Sequence, residues 1–346
     1  MDMPVPDERK AHAAASDLSA FRPRTWLRNP HAQSVLASSA LRRWVFWRRI
    51  ARIERDAREH LLDCGDGVRL QGFHTRQTTL PQPRALVVLL HGWEGSAKST
   101  YVLNTGARLL DVGCDVFRLN LRDHGDTHHL NRDPFHSCRI DEVVGAVKAV
   151  ARLFPERPLI VGGYSLGGNF ALRVALRASK VGLRLAWAFA VCPPIDPSEA
   201  MRAIESSRAY SWYFLRKWRS SLRRKQKLFP QTELFAPAQL DGTLRDVTAD
   251  LVARHTHFDN VENYFRGYSI AGATLAALDV PATILTAADD PIIPIADFHA
   301  LHLAPTTELV VASHGGHCGF IRDAGLGSWA EDFLVDRLHA HLCNRD

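Results

Sequence analysis

An α/β architecture, a mostly parallel, doubly wound sheet with an inserted helical cap, is predicted by two features of this 346-residue chain. Short continuous apolar runs alternate with helix-like stretches from about residue 60 onward, the pattern of strands buried on both faces and their crossover helices. The alternation then fails between about residues 194 and 276, where aromatic and basic residues take over. Apolar residues make up 46% of the chain, enough for one sizeable core with an insertion.

Residues 1–20 are polar and rich in Ala and Ser; they are expected to be loosely ordered and hold no apolar stretch suited to a signal peptide. Cys64-Gly-Asp-Gly67, between His60–Leu62 and Val68–His74, reads as a hairpin turn. Six apolar runs then read as buried strands: Ala85–Leu90, Asp115–Leu121, Leu159–Gly162, Ala186–Cys192, Ala282–Thr286 and Glu308–Ala312. Helix-like stretches lie between several of them, at Ser99–Leu110, Ile140–Phe154 and Asn169–Ala178. A last one, Ser328 to Leu342, sets Trp329, Phe333, Leu334, Leu338 and Leu342 at a helical period. The break opens with Pro193-Pro194 and carries helical patches at Ser198–Leu215 and Asp259–Tyr268. The expected organisation is an extension packing on the core (1–58), a core made of 59–193 and 277–346, and a cap or lid at 194–276.

The strongest chemical signal is Gly163-Tyr-Ser165-Leu-Gly167, with an apolar strand before it and Gly168-Asn-Phe-Ala-Leu-Arg-Val-Ala after it. Strand, sharp turn and helix are the context that a nucleophile elbow needs, and glycines flank the serine because its neighbours approach without Cβ atoms. The matching fold is the α/β-hydrolase fold, in which an acid and then a histidine follow the nucleophile along the chain. Thr283–Thr286 leads into Ala-Ala-Asp289-Asp290-Pro, so Asp290 is expected to orient the base, with Asp289 as the neighbouring alternative. Both acids also suit a plain turn before proline. His317 follows two glycines in His314-Gly-Gly-His317-Cys318 and is expected to be the base, His314 being structural.

Leu89-Leu-His91-Gly92-Trp93-Glu94-Gly95 ends a buried strand and enters a loop. In this fold one oxyanion donor comes from such a loop and another from the residue after the nucleophile, giving the N–H groups of Trp93 and Leu166. His317 would then take the Ser165 proton during attack on a carbonyl, and return it to the leaving alcohol. His314, His317 and Cys318 are too few and too bunched for a structural zinc site, so no metal and no cofactor is expected.

Several segments together resemble the YheT-like hydrolases, a branch shared with the mammalian ABHD1/ABHD3 group and yeast ethanol acyltransferases. They are Asn29-Pro30-His31-Ala-Gln33-Ser, His91-Gly-Trp-Glu-Gly-Ser, Gly163-Tyr-Ser-Leu-Gly-Gly-Asn169, Ala287-Ala-Asp-Asp-Pro291, Phe258 to Ser269, and Gly315-Gly-His-Cys-Gly-Phe320. The resemblance covers the chain from residue 21 and implies Ser165, Asp290 and His317 as a triad acting on carboxylic esters. It departs at Leu121-Arg122-Asp123-His124-Gly125-Asp126, where the family carries an Arg-Gly-Cys run. Hydrolysis of short- to medium-chain or lipid-like esters is the leading expectation. Acyl transfer to an alcohol and a non-catalytic binding protein are the alternatives; an aspartate-nucleophile dehalogenase or epoxide hydrolase is excluded by serine at 165.

The chain is net basic, +6. Two runs, Leu41–Ile50 and Trp212–Lys227, interleave aromatics with cations. They suit peripheral contact with an anionic membrane, or else a solvated helix face whose tryptophans turn inward. No nucleic-acid recognition motif accompanies them. Six cysteines without a CxxC pair read as reduced thiols, and no run approaches the ~20 apolar residues of a membrane span. A cytoplasmic protein, at most peripheral to the inner membrane face, is expected.

Overall fold

The computed structural model describes residues 21–343, so the expectation for residues 1–20 lies outside the described residues. Eight strands form one sheet: β1 (Ala57–Asp63), β2 (Arg69–Thr75), β3 (Leu86–Leu90), β4 (Asp115–Leu119), β5 (Leu159–Tyr164), β6 (Leu185–Val191), β7 (Ala282–Ala287) and β8 (Thr307–Ala312). Their order is β1-β2-β4-β3-β5-β6-β7-β8. Only β2 runs against its neighbours β1 and β4; from β4 to β8 every pairing is parallel. The crossovers at β3 bring the ends of β3 and β5 side by side, with Leu90 opposite Gly163.

The five strands β3 to β7 are buried along their whole length because both faces of the sheet are covered there. Along β3, Leu86, Val88 and Leu90 enter one core cluster, whereas Val87 and Leu89 enter the other. That is the two-residue period of a strand with no solvent face. Each such side chain contributes roughly 1.5–3 kcal/mol by leaving water.

Thirteen helices complete the described fold. Three precede the sheet: α1 (Pro30–Ala37), α2 (Ala40–Val45) and α3 (Trp47–Arg55). The core helices are α4 (Thr100–Asp111), α5 (Ile140–Leu153) and α6 (Leu166–Ala175). Between β6 and β7 come α7 (Pro197–Ser206), α8 (Arg208–Leu228), α9 (Pro237–Leu240), α10 (Leu244–His255) and α11 (Val261–Arg266). The short α12 (Ile295–His299) and the terminal α13 (Trp329–Cys343) follow. No helix among the described residues is long and apolar enough to cross a membrane.

The single helical patch expected over Ser198–Leu215 is two helices. Ser207 is extended (φ −104°, ψ 112°), and its hydroxyl accepts the Tyr210 N–H, capping a new helix there. That helix then runs through the basic stretch to Leu228. It does so because Trp218, Leu222 and Lys225 recur on one buried face while the other cations point outward. The two roots of the insertion stay together: the Ile270 N–H donates to the Ile195 carbonyl at 3.0 Å. The Asn169 amide, on α6, donates to the carbonyls of Pro194 and Tyr268 at 3.0 Å each.

Candidate active site

Ser165 stands between β5 and α6 with φ 52° and ψ −125°, a left-handed region that costs of order 1–3 kcal/mol for a non-glycine residue. The turn is tight enough to need its glycines. A Cβ on Gly163 would lie 2.4 Å from the Gly167 carbonyl carbon, and one on Gly167 would lie 2.4 Å from the Leu90 oxygen. The Ser165 N–H is satisfied by the Val191 carbonyl at 2.8 Å, tying the elbow to β6.

The Ser165 Oγ lies 2.9 Å from His317 Nε2, and His317 Nδ1 lies 2.8 Å from Asp290 Oδ2. An ionised carboxylate only accepts, so Nδ1 carries the proton and Nε2 is left to accept from the serine hydroxyl. The other Asp290 oxygen accepts the N–H groups of Ile292 (2.8 Å) and Ile293 (3.0 Å), which fixes the carboxylate. Burial alone would lower the His317 pKa. The charge and hydrogen bond of Asp290, joined by those of the neighbouring Cys318 thiol, outweigh it and hold the imidazole well above its ordinary 6.5.

Of the two adjacent acids, Asp290 is the one that faces His317. Asp289 accepts the Gly316 N–H at 2.9 Å and lies 3.3 Å from His314 Nδ1, bracing the loop that carries His317. His314 makes no contact with Ser165; its partner is Asp289. The one soft-ligand group among the described residues is Cys192, His317 and Cys318, without His314. It has three members, and its histidine already bonds Ser165 and Asp290.

Trp93 follows the end of β3 in a loop held from below by His91. The His91 Nδ1–H donates to the Gly92 carbonyl at 2.8 Å, and Nε2 accepts the Leu121 N–H at 3.1 Å. Burial drives this ring's pKa well below 6.5, so it stays neutral and can fill both roles. The Tyr101 hydroxyl accepts the Gly92 N–H at 3.0 Å. The Trp93 N–H makes no hydrogen bond to the described protein, and Leu166 is the first residue of α6, where helix N–H groups have no internal acceptor. Both residues line the space beside Ser165.

Two cavities meet at Ser165. One, of about 100 Å³, is apolar, with Ala200, Ile204, Trp218, Leu251 and Phe265 of the insertion among its walls. Trp93 stacks on Phe214 (5.3 Å) and meets Trp218 edge-on (5.2 Å) at its boundary. The other, of about 470 Å³, is a cleft between α1 and the start of α8, with Ser34, Val35, Tyr210 and Tyr213 in its walls.

The reading of the residues alone assigned no task to the Asn29–Ser34 segment. Here Asn29 caps α1 through the Ala32 N–H. The Gln33 amide donates to the carbonyls of Leu27 and Ile321 and accepts the Ile321 N–H at 2.6 Å. The Ser34 hydroxyl accepts the His317 N–H at 2.8 Å. The divergent loop after β4 is likewise anchored. Arg122 forms a buried ion pair with Glu142 (2.7 Å), and Asp123 accepts from Lys225 of α8 (2.8 Å) and from the Phe135 N–H.

Residues 87–326 match the Alpha/beta hydrolase family. The chain belongs to that family. This hydrolase is 27% identical to YheT of Escherichia coli (strain K12) over 94% of its own length and 95% of the relative's. It is 22% identical to phospholipase ABHD3 of Homo sapiens, over 81% of this chain and 70% of that one. These matches place it with YheT-like, ABHD-related hydrolases. Among solved structures, the Pyrococcus furiosus esterase Pf2001 shares the fold, with a TM-score of 0.53 at 18% identity over 83% of this chain and 90% of that one.

Proposed function

We propose that this hydrolase is a serine carboxylic-ester hydrolase that works through an acyl-enzyme on Ser165. The observation that carries the reading is the continuous chain Ser165–His317–Asp290 at the meeting point of an apolar cavity and a cleft. His317 Nε2 takes the hydroxyl proton as Ser165 Oγ attacks the ester carbonyl, and Asp290 stabilises the imidazolium that forms. The oxyanion is held by the N–H groups of Trp93 and Leu166, each such donor being worth about 10²–10³ in turnover. His317 then protonates the leaving alkoxide, and water, activated by the same imidazole, releases the acid. The esterase designation of YheT and the name phospholipase ABHD3 support ester chemistry.

The smaller cavity supports an acyl group that is apolar and of short to medium length, because its walls are aromatic and aliphatic and its volume is about 100 Å³. The cleft on the other side takes the alcohol moiety, and equally admits water or a second alcohol for release. Turnover of p-nitrophenyl esters across acyl lengths, wild type beside Ser165→Ala, tests the reading. An acyl-length optimum abolished by the substitution supports it; equal activity of the two proteins, or no labelling of the wild type by a fluorophosphonate, overturns it. Added alcohol, with ester product measured, decides between hydrolysis and transfer.

A further inference from the structure

Cations are distributed very unevenly along this chain. Residues 21–50 contain seven arginines and no acid, and residues 206–228 contain eight basic residues and no acid. Together they hold 15 of the 43 basic residues, so the rest of the chain carries nine more acids than bases.

The fold brings the two segments to one place. His31 of α1 is hydrogen-bonded to the Tyr210 hydroxyl of α8 at 2.8 Å, and the cleft leading to Ser165 runs between those helices. Nine of the eleven large apolar side chains left exposed among the described residues also fall in these segments. Trp44 is 71% exposed, Val35 63%, Trp212 62%, Trp26 58%, and Leu41 and Trp47 55% each. On α2, Leu41, Trp44 and Val45 share the outward face, while Arg42 on the opposite side is buried against Glu331. The tryptophans do not turn inward; of those in the two runs, only Trp218 does.

Many of the cations sit beside aromatics rather than acids. Arg48 lies over Trp47 (5.5 Å), Arg216 over Trp212 (5.4 Å) and Lys217 over Tyr213 (5.4 Å). Arg28, Arg48, Arg208 and Arg216 are exposed and have no acidic partner among the described residues.

We propose that this face docks on the surface of an anionic lipid bilayer, with the cleft to Ser165 opening at the lipid–water boundary. Exposed indole and aliphatic side chains interleaved with unpaired arginines match that boundary. Indoles settle at headgroup depth, and guanidinium groups meet the anionic heads. The leucine and valine tips favour lipid over nucleic acid, which offers them no apolar phase. Val35 and Tyr213 are both exposed and both line the cleft, so the docking face is continuous with its rim. The docking goes beyond the ester-hydrolase reading, because it needs no turnover and can be measured on the inactive protein.

The test is flotation of Ser165→Ala protein with equimolar phosphatidylglycerol/phosphatidylcholine vesicles, against pure phosphatidylcholine, at about 50 mM and 500 mM salt. The expected result is at least tenfold more protein bound to the anionic vesicles at low salt, with most released at high salt. Trp44→Ala/Trp212→Ala should cut binding at least fivefold with an unchanged circular dichroism spectrum. Arg48→Glu/Arg216→Glu gives an independent check should the first pair misfold. Absence of binding to anionic vesicles at low salt overturns the proposal, as does full binding by both double variants. Displacement from vesicles by a short DNA duplex or tRNA overturns it too, by assigning the face to nucleic acid.

Discussion

The Ser34 hydroxyl accepts a hydrogen bond from the backbone N–H of His317 at 2.8 Å and donates one to the Pro30 carbonyl at 2.7 Å. Ser34 thus holds the loop bearing His317, 283 positions away. The approach is close: a Cβ on Gly316, whose φ is +53°, would lie 2.2 Å from the Pro30 oxygen.

Ser34→Ala leaves the His317 N–H without its partner, at a cost of about 1–3 kcal/mol. We expect a lower urea midpoint and a kcat reduced about tenfold with KM nearly unchanged, because the lost contact displaces His317, the proposed base. An unchanged kcat would reduce Ser34 to a purely structural contact.

Asp290→Asn should lower kcat about 10³–10⁴-fold, since an amide no longer fixes the Nδ1–H tautomer or stabilises the imidazolium. Asp289→Asn keeps an acceptor for the Gly316 N–H and should cost tenfold at most. Equal losses in the two variants would mean that the acids have been told apart wrongly.

The pH profile follows from His317. The imidazole must be neutral to accept the serine proton, and Asp290 raises its pKa above 6.5. Activity should therefore fall as pH drops through a value higher than 6.5, and the acid limb should move to lower pH in Asp290→Asn. Measuring kcat/KM between about pH 5 and 9 checks both shifts.

Lys225→Met removes the buried cation that meets Asp123 and the His128 carbonyl. An uncompensated buried carboxylate remains, so destabilisation of about 3–5 kcal/mol is expected by urea unfolding. Removing both charges, with Asp123→Asn added, should restore part of that loss.

Ala200→Trp fills the smaller cavity from α7. The optimal p-nitrophenyl ester should become shorter while turnover of the acetate persists, at a stability cost of about 1–3 kcal/mol from overpacking. A displaced optimum toward longer chains would place the acyl group in the cleft instead.

The middle of the sheet was legible because β3 to β7 are buried along their whole length and mostly show as continuous apolar runs; Leu159–Gly162 and Ala282–Thr286 agree with β5 and β7 to within two residues. Ser165 was legible because its turn demands glycine on both sides. The tasks of Gln33 and Ser34 were not, since a polar side chain that bonds residues 288 and 283 positions distant leaves no local pattern. The family resemblance marked the segment without saying what it does. The break at Ser207 was hidden because apolar periodicity continues across it, and only the cap geometry divides α7 from α8.

Asn169 stands four residues beyond Ser165 and grips both roots of the helical insertion at once. Whatever lies between Ile195 and Ile270 therefore begins and ends at one clamp, set on the helix that follows the elbow. The insertion is in this sense an exchangeable cassette. Exchanging it would change the cavity walls beside Ser165 and the rings that pack on Trp93, while the Ser165 turn keeps its own anchor on Val191. A chimaera carrying a relative's segment between these two residues should retain fluorophosphonate labelling at Ser165 and acquire a different acyl-length optimum. Loss of labelling in a folded chimaera would show that the elbow depends on its own cover.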